Sequence, residues 1–336
     1  MKISVIIPCF NEQKTIGGCI ESVLNQTKKA EEIIIVNDGS TDKSAKIISK
    51  FRKIRLINLK KNTGNKSKAL EIALKQVIGD IIVFTDADSF LDKNFIKRAV
   101  KYFKNSKISA ISGKVISREN NWLTAARELE YIITFSLHKK AQDIVKSIFV
   151  ISGACAIFRA SVFKNIKFDH DTITEDLDIT LKLHKLKEQI IYRPEIIAYT
   201  NDPFDLKSYI RQIKRWYTGA YQNFKKHKSI FGKGFIGKIE IPLTIVEGLC
   251  GGLFFLACPV LFFIFPRIIG LIFLVDFIIL LLACIYGIIS MKRVDLIKGI
   301  LPFFILKALG NIIWLWAFFR EIVFNKKVMK WYRADR

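Results

Sequence analysis

Two aspartates follow an apolar run in the first third of the chain and are the first candidates for chemistry. Asp86 and Asp88 come directly after residues 81–85, which read Ile-Ile-Val-Phe-Thr. Such a run predicts a buried strand, so both carboxylates leave its end and can face one crevice. Carboxylate oxygens there suit Mg²⁺ or Mn²⁺, because one or two of them suffice when a diphosphate supplies further ligands. A solvated turn between a strand and a helix is the alternative interpretation.

Polar turns also follow the first two apolar runs of the chain. Pro8, Asn11 and Glu12 come after the run at residues 3–7, and Asp38 opens an Asp-Gly-Ser turn after the second run. The Asp38 carboxylate can accept hydrogen bonds from a nucleotide base, and the glycine permits a tight turn. Taken singly, each of these turns is explained equally well by turn chemistry.

Lys66 lies in a polar segment that precedes a predicted helix over residues 67–77. Backbone N–H groups and lysines at a helix start can bind phosphate. The segment lacks the GxxxxGK[ST] spacing, which argues against a P-loop ATPase.

Two later motifs add carboxylates and an aromatic side chain. Glu175 and Asp176 stand at the start of a predicted helix, where a carboxylate can cap the helix or act as a general base. Gln212, Arg215 and Trp216 are spaced i, i+3 and i+4 on another predicted helix, so they share one face. That face offers an amide, a guanidinium that can bind a diphosphate, and an indole on which a sugar can stack.

The elements that must position these residues alternate between strands and helices over residues 2–113. β-Branched runs predict buried parallel strands at residues 3–7, 32–36, 55–58, 81–85 and 108–112. Helical periodicity lies between them at residues 15–26, 44–51, 67–77 and 94–103. This pattern predicts an α/β domain with a mostly parallel sheet, in which ligands bind at the carboxyl ends of the strands.

Apolar residues dominate the chain beyond residue 238. Three stretches, at residues 241–265, 268–290 and 300–324, are long enough to cross a bilayer core of about 30 Å. We therefore predict a transmembrane region of about three helices over residues 239–325. A basic tail is predicted to follow at residues 326–336.

Two amphipathic segments rich in basic and aromatic residues precede the apolar region. They cover residues 119–149 and 206–226. Such helices can lie flat on a membrane as interfacial helices, and for the first segment packing against the soluble domain is an equally good interpretation. The soluble domain itself is predicted to cover residues 1–235.

The cellular side of the soluble domain is predicted from the start of the chain. The apolar run after Met1 and Lys2 is too short for the core of a signal peptide, so we expect this domain in the cytosol. Three spans then place the tail outside, whereas its basic residues favour the inside. A re-entrant or interfacial span, or a departure from the charge rule, would reconcile the two. Six cysteines without a CxxC spacing agree with a reducing compartment, and the four histidines do not cluster as zinc ligands.

The formal net charge is +24, and most of it lies before residue 239. Such an excess suits an anionic membrane surface and polyanionic substrates such as diphosphates. Nucleic acid would satisfy the charge too, but the sequence has no aromatic-and-basic recognition signature and no zinc-finger spacing. We therefore expect no nucleic-acid partner.

In order and spacing, the motifs resemble those of the membrane-integrated family 2 glycosyltransferases, which include cellulose, hyaluronan, nodulation chitooligosaccharide and poly-N-acetylglucosamine synthases. The family's Asp in a DGS turn, Asp-x-Asp, Thr-Glu-Asp and Gln-x-x-Arg-Trp are matched by Asp38, Asp86 with Asp88, residues 174–176 and residues 212–216. Residues 152–159 resemble the segment that lines the family's acceptor site. The resemblance covers residues 1–225 and implies a GT-A-type nucleotide-sugar-binding domain, followed here by an α-helical transmembrane region.

The resemblance also implies a role for each candidate residue. Asp176 would be the catalytic base of an inverting transfer, and Asp88, helped by Asp86, would hold Mg²⁺ or Mn²⁺. The nucleotide-sugar donor, expected to be a UDP-sugar, would be bound by Pro8, Asn11, Glu12, Asp38, Lys66, Asp86 and Arg215. A saccharide or lipid acceptor would be bordered by Ser152, Gly153, Glu175, Gln212 and Trp216.

Three functions fit these expectations. The first is a multi-pass cell-membrane synthase that adds sugars to a growing β-linked polysaccharide. The second is a non-processive enzyme that adds one sugar to a membrane lipid, and the third is an inactive membrane scaffold, against which the complete set of acids argues. Many polymerising relatives have further membrane helices before the catalytic domain, so a homo-oligomer or a channel partner is expected to be needed to enclose a polymer channel.

Overall fold

Strands and helices alternate along the first part of the chain, as the apolar runs predict. The computed structural model describes residues 1–118, 121–327 and 329. These residues form two compact units. The first unit comprises Met1–Ile116 and Ala141–Asn201, and the second comprises Ser117–Lys140 and the described residues from Asp202 onward.

One sheet runs through the first unit, with eight strands among the described residues. The strands are β1 (Ile3–Cys9), β2 (Glu32–Asn37), β3 (Arg55–Asn58), β4 (Ile81–Phe84), β5 (Ser89–Leu91), β6 (Ile108–Ser117), β7 (Ala156–Arg159) and β8 (Gln189–Thr200). Their order across the sheet is β3-β2-β1-β4-β7-β6-β8-β5.

The first four strands form the parallel part of the sheet. β1 pairs in parallel with β2 and β4, and β2 pairs in parallel with β3. Val5, Ile34 and Val83 in three of these strands are at most 1% exposed. Because strands covered on both faces read as continuous apolar runs, the sequence located them directly. The predicted α/β domain with a mostly parallel sheet is confirmed.

The other strands bring antiparallel neighbours into the sheet. β7 lies antiparallel to both β4 and β6, so β6 runs in the same direction as β4 without pairing with it. The strand predicted at residues 108–112 is therefore present, but its neighbour β7 is antiparallel. β5, β7 and β8 were not predicted. The first two have only three and four residues, and the apolar pattern of β8 is interrupted by Arg193, Pro194 and Glu195.

The described helices of both units can be given in chain order. They are α1 (Ile16–Leu24), α2 (Ser44–Ile48), α3 (Lys66–Leu74), α4 (Phe95–Tyr102), α5 (Trp122–Ile133), α6 (Lys139–Ile144), α7 (Glu175–Lys185), α8 (Leu206–Lys226), α9 (Ile241–Ile264), α10 (Pro266–Met291) and α11 (Ile300–Phe318). α3 begins at Lys66 and α7 begins at Glu175, so two candidate site residues are the first residues of their helices.

The core of the second unit is built from the amphipathic and the apolar helices together. Leu129 and Ile132 of α5, Ile213 of α8, and Leu306 and Ile313 of α11 are at most 4% exposed and belong to one cluster. The apolar faces of α5 and α8 thus pack against apolar C-terminal helices. For this reason residues 117–140 and 202–235 group with those helices, whereas composition had suggested a boundary at residue 235.

The two segments expected to be amphipathic differ in regularity. α8 has the predicted bounds, whereas the segment at residues 119–149 is broken: α5 ends at Ile133 and a π-helical turn, Thr134–His138, precedes α6. Residues 119 and 120 of that segment lie outside the described residues.

Among the described residues, three helices are long and apolar enough to cross a membrane, as predicted. With their flanking turns they cover Ile236–Ile264, Pro266–Met291 and Val294–Val323. Gly248 of the first span has no room for a side chain, since a Cβ there would lie 2.0 Å from Trp314. Such small residues permit close helix packing in membranes. Most of the basic tail expected at residues 326–336 lies outside the described residues.

Candidate active site

Asn11 and Glu12, which follow β1, form hydrogen bonds with the turn after β2. The Asn11 side-chain oxygen accepts from the backbone N–H of Thr41 at 2.7 Å, and the Asn11 N–H donates to the Ser40 hydroxyl at 2.9 Å. The Glu12 N–H donates to the Ser44 hydroxyl at 2.8 Å. Asn11 has a φ of 56°, a left-handed conformation that asparagine tolerates better than most residues. These two candidates therefore shape the loops at the carboxyl ends of the first two strands.

Asp38 holds the segment that leads into α3. Its carboxylate is buried and accepts from the backbone N–H and the hydroxyl of Thr63, each at 2.9 Å. A carboxylate offers about four lone-pair directions, so it retains capacity for a ligand. Gly39, with a φ of 66°, lies against the same segment, and a Cβ there would be 2.3 Å from the Asn62 nitrogen. Sequence reasoning proposed Asp38 and missed Thr63, which has no motif of its own.

Lys66 joins two acids that are far apart in the sequence. Its ammonium lies 2.5 Å from Asp86 Oδ1 and 2.7 Å from Glu175 Oε1. Burial by itself would lower the pKa of Lys66, but the charges of Asp86 and Glu175 raise it above its usual range. The lysine is therefore a fixed cation between the end of β4 and the start of α7.

Asp86 and Asp88 follow β4 in a tight turn, in which the Ser89 N–H donates to the Asp86 carbonyl at 3.0 Å. Asp88 is 9% exposed, and its Oδ1 accepts from the Ser89 hydroxyl at 3.1 Å. Among the described residues, no group of three or more His, Cys, Asp or Glu is placed to hold an ion. Two carboxylates are nevertheless what Mg²⁺ uses when substrate phosphates complete its shell, so these residues fit an ion that binds together with a diphosphate.

Asp176 lies in the first turn of α7, next to Glu175. Its Oδ1 accepts from the Leu177 N–H at 2.8 Å. Burial and the charge of Glu175 raise the pKa of Asp176 to about 6, although Lys66 and the hydrogen bond lower it. A carboxylate with such a pKa is still ionised at neutral pH and is a better proton acceptor than an ordinary one.

One pocket of the first unit brings together six of the candidate residues, which we call the Lys66 pocket. Gly153 forms part of its wall, and a Cβ at that position would lie 3.1 Å from Lys66 Nζ. The pocket is lined by Pro8, Lys66, Asp86, Gly153, Glu175 and Asp176, together with Leu70, Phe84, Thr85, Ile151, Ala156, Phe158, Phe168 and Ile179. Its polar side thus carries the acids and the lysine. Of its apolar lining, Ala156 and Phe158 belong to the segment at residues 152–159 that the sequence singled out, whereas Leu70, Phe84, Ile151, Phe168 and Ile179 were not proposed.

Several candidates are not part of this lining. Asn11, Glu12 and Asp38 belong to the neighbouring strand ends described above, and Asp88 lies in the turn after β4, where it accepts from the Ser89 hydroxyl. Ser152 directly precedes the 3₁₀ turn Gly153–Cys155 that leads into β7.

Gln212, Arg215 and Trp216 belong to the second unit, on α8. Gln212 is 6% exposed, and Arg215 and Trp216 are half-buried. The guanidinium carbon of Arg127 lies 5.1 Å from the centroid of the Trp216 ring. Arg127 was not proposed from the sequence, because an arginine in an amphipathic helix ordinarily faces solvent.

Comparisons of sequence place part of this chain among known proteins. Residues 4–167 match the model of the family described as glycosyl transferase family 2. Poly-beta-1,6-N-acetyl-D-glucosamine synthases of Staphylococcus epidermidis and of Staphylococcus aureus strain COL are 31% and 30% identical over 226 residues. The match covers 66% of this chain and 55% of each relative, so the chain spans about half the length of these curated relatives.

A solved structure shares the fold. The mannosyltransferase PcManGT from Pyrobaculum calidifontis, in complex with GDP-Man and Mn²⁺, aligns with a TM-score of 0.66 at 17% identity. The alignment covers 97% of this chain and 88% of that chain. At such low identity the likeness concerns the fold alone, which is of the GT-A type with C-terminal helices.

Proposed function

Because this chain contains a glycosyltransferase family 2 domain, we propose that it transfers a sugar from a nucleotide-sugar donor to a growing β-linked polysaccharide. The observation that carries the proposal is the Lys66 pocket, in which Asp176 lies with Lys66 and Asp86 at the carboxyl ends of parallel strands. Ligands of open α/β sheets bind at this edge.

Asp176 is the proposed general base of an inverting transfer. It accepts the proton of the acceptor hydroxyl while that oxygen attacks the anomeric carbon of an α-linked nucleotide sugar. The bond from the anomeric carbon to the phosphate oxygen breaks as the new bond forms, and the nucleoside diphosphate leaves. A β-linked product and a protonated Asp176 result. The raised pKa of Asp176 suits this proton transfer near neutral pH.

Lys66 and the start of α3 act on the leaving group in this proposal. The ammonium of Lys66 and the N-terminal N–H groups of α3 offset the charge that accumulates on the diphosphate. Asp88 and Asp86 would hold the Mg²⁺ or Mn²⁺ that accompanies the donor, and this ion would supply further positive charge to the diphosphate. Asp38, with Pro8, Asn11 and Glu12 at the end of the neighbouring strand β1, binds the nucleoside.

The relatives support a proposed substrate, and the apolar helices support a proposed cellular location. Two relatives are synthases of a polymer of N-acetylglucosamine, which makes UDP-N-acetylglucosamine the first donor to test. The three candidate spans favour an enzyme in the cell membrane, and its catalytic part is proposed to lie in the cytosol. The family resemblance of the motif on α8 supports a role for Arg215 in binding the diphosphate, and a role for Gln212 and Trp216 in binding the acceptor.

The test uses the full chain in lipid nanodiscs with Mn²⁺ and radiolabelled UDP-sugars, and separates products by size and by lipid extraction. A ladder of saccharides from UDP-N-acetylglucosamine is expected. If the product is a single labelled lipid, the proposed activity becomes the transfer of one sugar to a lipid. If no donor gives any transfer, both proposed activities are overturned. Asp176→Asn should lower kcat by about 10²- to 10⁴-fold. Asp80→Asn is the matched control, since that carboxylate is 62% exposed and outside the pocket.

A further inference from the structure

Arg127 of α5 is a fully buried cation, with 0% of its side chain exposed. Its guanidinium forms an ion pair with Glu130 and donates to the hydroxyl of Tyr131 at 3.2 Å. A buried charge is costly unless it is paired, and removal of one partner is strongly destabilising. These contacts therefore fix the guanidinium in one position.

Three aromatic rings surround this guanidinium. The distance from its central carbon to the ring centroid is 4.9 Å for Tyr131, 5.3 Å for Tyr209 and 5.1 Å for Trp216. All three lie within the distance of about 6 Å at which a cation is attracted to an aromatic face. Tyr209 and Trp216 are two turns apart on α8, so Arg127 contacts the helix face that also carries Gln212.

A further acid, Asp202, belongs to the same group of residues, which we call the Arg127 cluster. The Tyr131 hydroxyl donates to Asp202 Oδ1 at 2.9 Å, and Asp202 is 1% exposed. Burial raises the pKa of Asp202 above its usual range, although Arg127 lowers it. Glu130 is 37% exposed, so the cluster reaches the surface at that side chain. The cluster consists of Arg127, Glu130, Tyr131, Asp202, Tyr209 and Trp216.

From this geometry we infer that Arg127 is a positioning residue, which holds the indole of Trp216 in the orientation that stacks on a saccharide acceptor. The inference rests on the proposed function, in which Trp216 borders the acceptor. An indole that is free to change rotamer loses entropy when a sugar stacks on it, whereas a fixed indole does not. Arg127 thereby acts on acceptor binding without touching the acceptor.

A lysine cannot take this place. The guanidinium is planar, stacks on aromatic faces and donates in a fixed fork, whereas an ammonium is a compact and strongly hydrated point charge. Arg127→Lys therefore retains the charge that Glu130 and Asp202 require and removes the stacking on Trp216. Arg193→Lys is the matched control, because that guanidinium pairs with Asp143 at 2.8 Å and lies 4.9 Å from the Tyr102 ring in the first unit.

The first experiment varies a β-1,6-linked N-acetylglucosamine pentasaccharide at a fixed concentration of UDP-N-acetylglucosamine. For Arg127→Lys we expect the KM for the pentasaccharide to rise about fivefold or more, because an ammonium keeps the charge but not the planar stacking on the indole. The donor KM and kcat should stay within about twofold, and Arg193→Lys should change none of the three. A fall in kcat with unchanged pentasaccharide KM, or an equal effect of Arg193→Lys, would overturn the inference.

The second experiment measures the environment of the Trp216 indole without turnover. It therefore tests whether Arg127 orients this indole even if the wild type transfers no sugar. The full chain is labelled with 5-fluorotryptophan, and the ¹⁹F resonance of Trp216 is assigned by its loss in Trp216→Phe. We expect Arg127→Lys to shift and broaden this resonance while the other tryptophan resonances stay in place. If Arg127→Lys fails to fold, Glu130→Gln is measured and the same change is expected. An unchanged Trp216 resonance overturns the inference.

Discussion

Asp176 should reduce the stability of the folded protein at neutral pH, so its replacement by asparagine should raise the melting temperature. Burial and the charge of Glu175 raise the pKa of Asp176 from 3.8 to about 6. A pKa that is higher in the folded state means that folding favours the protonated acid, so the ionised carboxylate opposes folding. Asp176→Asn removes this charge and keeps the side-chain oxygen that accepts from the Leu177 N–H at 2.8 Å.

The magnitude follows from the two pKa values. Each pH unit between them corresponds to about 1.4 kcal/mol, which gives an upper limit of about 3 kcal/mol above pH 6. Asp176 is partly exposed, and solvent screening reduces this to about 1–2 kcal/mol. The gain should be about half as large at pH 5 and should vanish below pH 3.8, where the acid is protonated in both states. A rise in Tm of about 2–8 °C at pH 8 follows.

The assay is thermal unfolding of the full chain in lipid nanodiscs between pH 5 and pH 8, followed by intrinsic fluorescence. Glu175→Gln is the matched control from the same helix turn. It removes the ion pair with Lys66 at 2.7 Å, so it should lower Tm rather than raise it. A lower Tm for Asp176→Asn, or a gain of equal size at pH 5 and pH 8, would refute the reasoning.

Three further expectations concern the Lys66 pocket. The rate of transfer should fall about tenfold for each pH unit below about 6, because Asp176 must be ionised to accept a proton; a flat kcat profile between pH 4.5 and pH 6 would contradict this role. Gly153→Ala should weaken the binding of UDP-N-acetylglucosamine, measured by isothermal titration, because the added methyl would lie 3.1 Å from Lys66 Nζ. Gly270→Ala, whose methyl meets nothing within 4 Å, is its control, and equal affinities of the two variants would count against the expectation. Lys66→Met should lower the free energy of unfolding by about 1–3 kcal/mol, since two partly buried carboxylates lose their partner; unchanged denaturant unfolding would disprove this.

The parallel part of the sheet and the acids at its edge could be predicted because both are local features of the sequence. A strand such as β2, buried on both faces, needs a continuous apolar run, and the residues that end it are the polar ones. Asp38 and Asp86 were found in this way, whereas Glu175 was found at the start of a predicted helix. The ion pairs of Lys66 with Asp86 and Glu175 could not be predicted, since they join distant parts of the chain only after folding.

The second unit shows the limit of hydrophobic periodicity. The spacing of apolar residues predicts α8 with its bounds, because a helix buries one stripe whatever covers that stripe. Periodicity does not identify the surface against which this apolar stripe packs, so a membrane surface and a protein surface were both possible. The structure covers Ile213 with apolar helices of the same unit. Arg127 could not be recognised for the same reason, because its burial depends on Glu130 and three rings that only tertiary contacts supply.

The charge of the Lys66 pocket supports a divalent ion without reference to any relative. Among the described residues that line it, Lys66 is the cation, and Asp86, Glu175 and Asp176 are the acids. Lys66 already pairs with two of these acids, so an incoming diphosphate meets an excess of negative charge.

An ion shared between the acids after β4 and the diphosphate would offset this repulsion. UDP-N-acetylglucosamine should therefore bind at least about tenfold more weakly in EDTA than in Mn²⁺, which equilibrium titration measures. Asp88→Asn should remove most of that difference, because it deletes a carboxylate that would hold the ion. Equal affinity with and without Mn²⁺ in the wild type would mean that the lysine alone neutralises the donor, and the charge argument for the ion would fall.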